Sequence, residues 1–161
     1  VTVGFILNGE DVRITCNSET RLINILRDDF HLKASKAGCN TGFCGACTVL
    51  LDNDIVKACL VPAFKIRGRE IITAEGFLLA DDYEDIAEAL VQARVENCGF
   101  CYSATVLTIE ALLTKFRRPS NEEILSALNG IRCRCSDHEA IVRSVKMAVE
   151  LRRQRIYGRT R

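Results

Sequence analysis

The chain opens on an apolar run, Thr2 to Leu7, that stops at Asn8-Gly9, and Val12 to Cys16 then alternates apolar and polar. Asn-Gly is the strongest short hairpin signal, because both positions accept the left-handed backbone that a two-residue turn demands. A hairpin is therefore predicted. Leu22, Ile25 and Leu26 next recur at the i, i+3, i+4 spacing of one helical face. From Ala37 to Cys47 the periodicity disappears into a loop dense in Gly and Cys. Thr48 to Leu51 and Ile55 to Ala58, joined at Asp52-Asn53, predict a second hairpin, and Ile71 to Thr73 one more short strand. Two hairpins against one helix suggest a small α+β unit of β-grasp type.

Past Gly76 the pattern becomes helical throughout. Ile86, Leu90 and Ala93 define one helix, and Asp81, Asp82, Glu84 and Asp85 at its start suit the positive end of a helix dipole. The expected state of that acidic run is a solvated helix start rather than a cation site. Val106, Ile109, Leu113 and Phe116 share the face of a second helix. After Pro119, Ser120 and Glu123 form a capping box for a third, and Val142, Val145 and Val149 mark the last. Four such helices can pack as a small bundle. The predicted fold is α+β: a β-grasp domain over residues 1–76, then a four-helix-bundle domain over 77–161.

The composition adds little until the cysteines are counted. The 161 residues are 48% hydrophobic and 27% charged, which excludes a disordered chain or a fibrous repeat. No apolar run approaches the roughly 18 residues of a membrane helix, and no leader-like segment opens the chain. A cytoplasmic protein is expected. The net charge is +1, but the last ten residues hold five Arg and no acid, leaving a mildly acidic body. Without a basic stripe or an aromatic platform beside it, that tail does not point to nucleic acid.

Nine cysteines are an odd number, so they cannot all pair within the chain. In a reducing compartment, clustered cysteines more often bind metal or carry redox chemistry. Cys39, Cys44 and Cys47 are separated by four and two intervening residues, with Cys59 after eleven more. That is the plant-type ferredoxin spacing for a [2Fe–2S] cluster. Three thiolates must face one small core from one loop, and Gly38, Gly42 and Gly45 allow the tight wrapping. Loop N–H groups can then point at the sulfides. The second half holds Cys98-Gly99-Phe100-Cys101 and, 31 residues on, Cys133-Arg134-Cys135. Spacing alone leaves zinc and iron–sulfur equally open there, although zinc ribbons favour two Cys-x2-Cys knuckles roughly 15–20 residues apart. Cys16, alone on a predicted strand, reads as a small packing residue. His31 and His138 read as surface or cap residues, and Phe43 and Phe100 as shields over the cysteine sites.

Taken together, the segment Gly38-Cys-Asn-Thr-Gly-Phe-Cys-Gly-Ala-Cys-Thr48, the Cys98-Gly-Phe-Cys101 motif and the late Cys133-Arg-Cys135 occur in one order. This order resembles the iron–sulfur subunit of the molybdenum hydroxylases, the xanthine dehydrogenase and carbon monoxide dehydrogenase family. Leu22 to Asp28, Lys36 and Thr48-Val49-Leu50 extend the resemblance over about residues 3 to 150.

The resemblance implies two [2Fe–2S] clusters. One, on Cys39, Cys44, Cys47 and Cys59, would lie on the flavin side; the other, on Cys98, Cys101, Cys133 and Cys135, on the molybdopterin side. Gly38, Gly42, Gly45, Asn97, Gly99 and Arg134 are the expected cofactor-contacting positions, and Arg134 could offset cluster charge or bridge a partner. The molybdenum cofactor would sit on a molybdopterin-binding large subunit and FAD on a separate FAD-binding subunit, in a dimer of heterotrimers. The expected substrate of the whole is a purine (xanthine-like) or another N-heterocycle, and no residue of this chain is expected to be a catalytic acid or base. The sequence departs from the family pattern around the second quartet. Asn97 replaces Gln, Tyr102-Ser103-Ala104 replace Thr-Pro-Gly, and Ser136-Asp137-His138 replace Thr-Gly-Tyr. The rival expectations are a free-standing two-cluster ferredoxin and a zinc-stabilised interaction module with one ferredoxin-like cluster.

Overall fold

The structure, a computed structural model, describes residues 1–158. Strands β1 (Thr2–Leu7) and β2 (Glu10–Thr15) pair antiparallel, with Leu7 opposite Glu10. Asn8 and Gly9 turn between them at φ of 51° and 86°, as the Asn-Gly signal required. The second hairpin, β3 (Thr48–Leu51) and β4 (Asp54–Lys57), turns in the same way at Asp52 and Asn53, whose φ values are 49° and 69°. Strand β5 (Glu70–Ile72) runs between the hairpins, parallel to β1 and antiparallel to β3. The sheet order is β2-β1-β5-β3-β4.

The predicted first helix forms only one α-turn, α1 (Leu22–Asn24), and continues as a π-helical segment, Ile25–Asp29. Phe30 N closes that segment onto Ile25 O at 3.2 Å. Leu22, Ile23, Ile25 and Leu26 are all fully buried. Four buried residues in five positions are more than one narrow helical stripe holds. They pack with Val3, Phe5, Val49, Leu51 and Ile71 in the first core, and Cys16 lies partly buried at its margin.

A second core lies between helices α3 (Asp81–Gln92), α4 (Tyr102–Lys115), α5 (Asn121–Leu128) and α6 (His138–Tyr157). A short α2 (Ala74–Phe77) precedes them, and Phe116 caps α4 rather than continuing its face. Leu50 of β3 belongs to the helical core while its neighbours Val49 and Leu51 face the other, so one strand serves both. The capping box forms as expected: Ser120 N donates to Glu123 Oε2 at 2.7 Å and Glu123 N to Ser120 Oγ at 3.3 Å.

Two charge expectations are corrected. The acidic start of α3 is not simply solvated, because Asp85 is buried and pairs with Arg155 at 2.8 Å. Arg155 also reaches Asp82, and Arg152 meets Glu110 at 2.6 Å and Asp85 at 3.4 Å. These arginines, expected from the sequence to belong to a solvated or partner-docking end, lock the end of α6 against the start of α3. Arg159 and Arg161 lie outside the described residues. Among the described residues, no helix is long and apolar enough to cross a membrane.

Candidate functional site

The plant-type loop connects the π-helical segment to β3 and is fastened at several points. Arg21 Nη1 donates to Asn40 O at 3.0 Å, Lys36 N to Ala46 O at 3.0 Å and Thr48 Oγ1 to Gly45 O at 2.7 Å. This wrapping aims backbone amides at sulfur. Cys44 N lies 3.2 Å and Thr41 N 3.4 Å from Cys39 Sγ, and Cys39 N lies 3.5 Å from Cys44 Sγ. The Thr41 hydroxyl, then the Cys44 and Thr41 amides, bring the Cys39 thiol down to a pKa of about 6. Such donors favour the thiolate that a metal needs. Cys47, immediately before β3, lies against Cys59, and burial pushes its thiol up to about 11. The loop and Cys59, which follows β4, thus present two adjoining thiol pairs.

The glycines predicted there are required by close approach. A Cβ on Gly38 would stand 2.8 Å from Cys44 Sγ, and one on Gly42 2.5 Å from Leu60 Cδ1. At Gly45 (φ +76°) it would stand 2.0 Å from Gly130 O, inside the backbone of the other half.

The second quartet comes from two segments that the helices bring together. Cys98 and Cys101 precede α4, while Cys133 and Cys135 precede α6. Cys133 Sγ and Cys135 Sγ are 3.7 Å apart, Cys101 meets Cys133, and the Cys98 amide faces Cys135 Sγ. Ser136 N lies 3.4 Å from Cys133 Sγ. Burial raises the Cys101 thiol to about 12. Among the described residues no three His, Cys, Asp or Glu side chains surround one point. Thiols in adjoining pairs suit a two-iron core, each iron taking two thiolates. Both donor sets therefore fit a [2Fe–2S] cluster.

Asn97 is exposed, its Oδ1 accepting from Gly99 N at 2.7 Å, and Gly99 holds φ +83° with open space where a Cβ would stand. Arg134 is exposed between Cys133 and Cys135, and so is His138 at the start of α6. Phe43 is 65% exposed under Arg132, 4.7 Å from its ring centroid, and so covers little of the site in the isolated chain. Phe100 reaches across to the plant-type loop, its Cζ 3.2 Å from a Cβ position on Gly38. Tyr102, among the departures from the family pattern, hydrogen-bonds Tyr83 at 2.9 Å.

The two sites touch through residues the sequence did not single out. Arg132 N donates to Cys44 O at 2.9 Å, and Lys57 Nζ donates to Gly130 O at 2.8 Å and Thr48 Oγ1 at 2.9 Å. A lysine two positions before Cys59 was the available signal for the second contact.

Comparison with known proteins agrees with this geometry. A "2Fe-2S iron-sulfur cluster binding domain" family matches residues 5–78, and a "[2Fe-2S] binding domain" family matches residues 73–146. The class is an iron–sulfur protein with two such domains in tandem. A nicotinate dehydrogenase subunit of Pseudomonas putida is 35% identical over 95% of this chain and 98% of its own length. The nicotinate dehydrogenase small FeS subunit of Eubacterium barkeri is 38% identical over 93% and 96%. Quinoline 2-oxidoreductase from Pseudomonas putida 86 superposes with a TM-score of 0.86 at 27% identity, over 95% of this chain and 96% of that one. The chain belongs to the iron–sulfur small-subunit family of the molybdenum hydroxylases.

Proposed function

We propose that the chain is the electron-transfer subunit of a molybdenum hydroxylase, relaying electrons from a molybdopterin-binding large subunit through two [2Fe–2S] clusters to an FAD-binding subunit. The division is into a plant-type domain, 1–76, and a helical domain, 77–161. Cys39, Cys44, Cys47 and Cys59 hold one cluster, and Cys98, Cys101, Cys133 and Cys135 the other. When bound, the clusters supply one-electron carriage. The observation that carries this reading is the hydrogen bond from Arg132 N to Cys44 O, which joins a ligand of one site to the residue preceding a ligand of the other. Two such sites held at backbone contact suit relay better than two independent modules.

The chain's own residues orient and tune. Amides of Thr41, Cys44 and Ser136 hold thiolates in place. Arg134, exposed between two of the helical ligands, offers a positive charge beside that site. The nicotinate, isoquinoline, quinoline, xanthine and caffeine enzymes among the similar proteins support an N-heterocycle, pyridine-type or purine, as the substrate of the assembly. The assembly is a dimer of heterotrimers working in the cytoplasm, a reducing compartment where clustered cysteines more often bind metal than pair as disulfides.

Iron and sulfide analysis tests this directly, with four of each expected per chain. Bound zinc overturns it. Cys101→Ala is expected to remove one cluster's EPR signal, spare the other and slow flavin reduction by substrate. Persistence of both signals contradicts the ligand assignment, and a stable monomer with no flavin or molybdenum partner contradicts the subunit role.

A further inference from the structure

Lys57 ends β4 half-buried, at the joint between the two candidate sites. Its ammonium donates to two neutral oxygens, Thr48 Oγ1 at 2.9 Å and Gly130 O at 2.8 Å. Ion pairs among the described residues join arginines to Asp52, Asp82, Asp85, Glu110 and Glu150, and none includes Lys57. A half-buried cation without a carboxylate is costly, and its charge must be balanced by something else. Lys57 stands two residues before Cys59 and directly opposite Thr48, the residue after Cys47, and the next amide, Ala58 N, donates to Cys47 O at 3.2 Å. It thus adjoins two ligands of the plant-type quartet, whereas its contact in the helical half, Gly130, is three residues short of Cys133. The position therefore favours the plant-type site.

We propose that the Lys57 ammonium is the fixed counter-charge of the plant-type cluster, making that cluster easier to reduce than it would otherwise be and so favouring electron flow into it from the helical side. This rests on the relay reading above. Taking up one electron adds one negative charge to the plant-type site while the helical site loses one, and no proton is needed for balance. A nearby positive charge stabilises the more negative state, and in a partly desolvated joint it does so more strongly than in water. The same ammonium ties Gly130 to Thr48. A purely structural role would be felt by both sites, because Gly130 leads through Arg132 to Cys133, whereas an electrostatic role is felt at one.

The test is an EPR-monitored redox titration of the full chain carrying both clusters, in which the helical cluster serves as an internal reference. Lys57→Gln is expected to lower the plant-type reduction constant by on the order of tenfold, which is about 59 mV for a one-electron couple, and to leave the helical potential in place. Lys57→Arg, which keeps the charge, is expected to restore it. An unmoved plant-type potential in Lys57→Gln overturns the proposal, and so does an equal shift of both clusters. Should Lys57→Gln not load, Thr48→Val releases the ammonium from one acceptor and is expected to give a smaller fall; an unchanged potential there overturns the proposal as well. Absence of both signals from the parent chain would instead remove the relay reading itself.

Discussion

The sheet half and the helical half solve the same coordination problem by opposite means. In the first, three of the four candidate thiols lie on one nine-residue stretch, Cys39 to Cys47, tied down at Asn40 O by Arg21, at Ala46 O by Lys36 and at Gly45 O by Thr48. In the second, two short segments depend on the packing of α3, α4 and α6 to meet at all, and the ion pairs that clamp α3 to α6 stand at the opposite end of those helices. A local loop can hold its shape largely by its own hydrogen bonds. The helical quartet instead inherits its geometry from a core and from charges far along the helices. Distant changes should therefore disturb the second site while sparing the first, and changes that break the backbone packing at the shared joint should disturb both.

Gly45→Ala is the severest of these. Its backbone is left-handed and a Cβ would meet Gly130 O at 2.0 Å, so strain and clash act together. A cost of about 3 kcal/mol or more is expected, read as a lower urea midpoint together with reduced iron at both sites. If only the plant-type signal were lost, the joint would not couple the halves as the contact implies. Asp85→Asn comes next. It removes the buried carboxylate between Arg152 and Arg155 while leaving Asp82 and Glu110 in place, so about 2 kcal/mol is expected. Hydrogen exchange should show α3 and α6 losing protection while β1 and β5 keep theirs. Equal loss in both halves would erase the contrast.

The same contrast explains what was legible in the sequence. Asn8-Gly9, the loop cysteines and the Ser120–Glu123 box announce themselves because each signal is complete within a few residues and the structure follows it. The helical quartet was ambiguous from spacing, since its members meet only after tertiary packing. The parallel pairing of β1 with β5 joins positions more than sixty residues apart and leaves no local mark. Asp85 with Arg155 is of the same kind: an acidic helix start and a basic helix end each look like a solvated face until they are brought together. Lys57 escaped notice because a lysine at the end of a short strand ordinarily marks a solvent-facing edge. The turn of α1 into a π-helix reflects a demand of the core, where four side chains in five positions all had to be buried.

The mildest prediction sets an exposed carboxylate of the sheet half against the buried Asp85. Asp52 accepts from Glu70 N at 2.8 Å and pairs with Arg69 Nε at 2.6 Å, at the turn of the second hairpin. The Glu70 amide first, and then Arg69, hold its carboxyl below the usual range. A folded-state pKa depressed in this way contributes stability that is fully present above the unfolded value of about 3.9, and that is lost as pH falls through the lower folded value. Asp52→Asn should therefore lower the urea midpoint only slightly near neutrality, because exposed pairs are screened by solvent. The gap between variant and parent should close as the pH is taken down through the acid range. A gap that persists in acid would mean that Asp52 acts through the shape of its turn, where its φ is 49°, rather than through its charge.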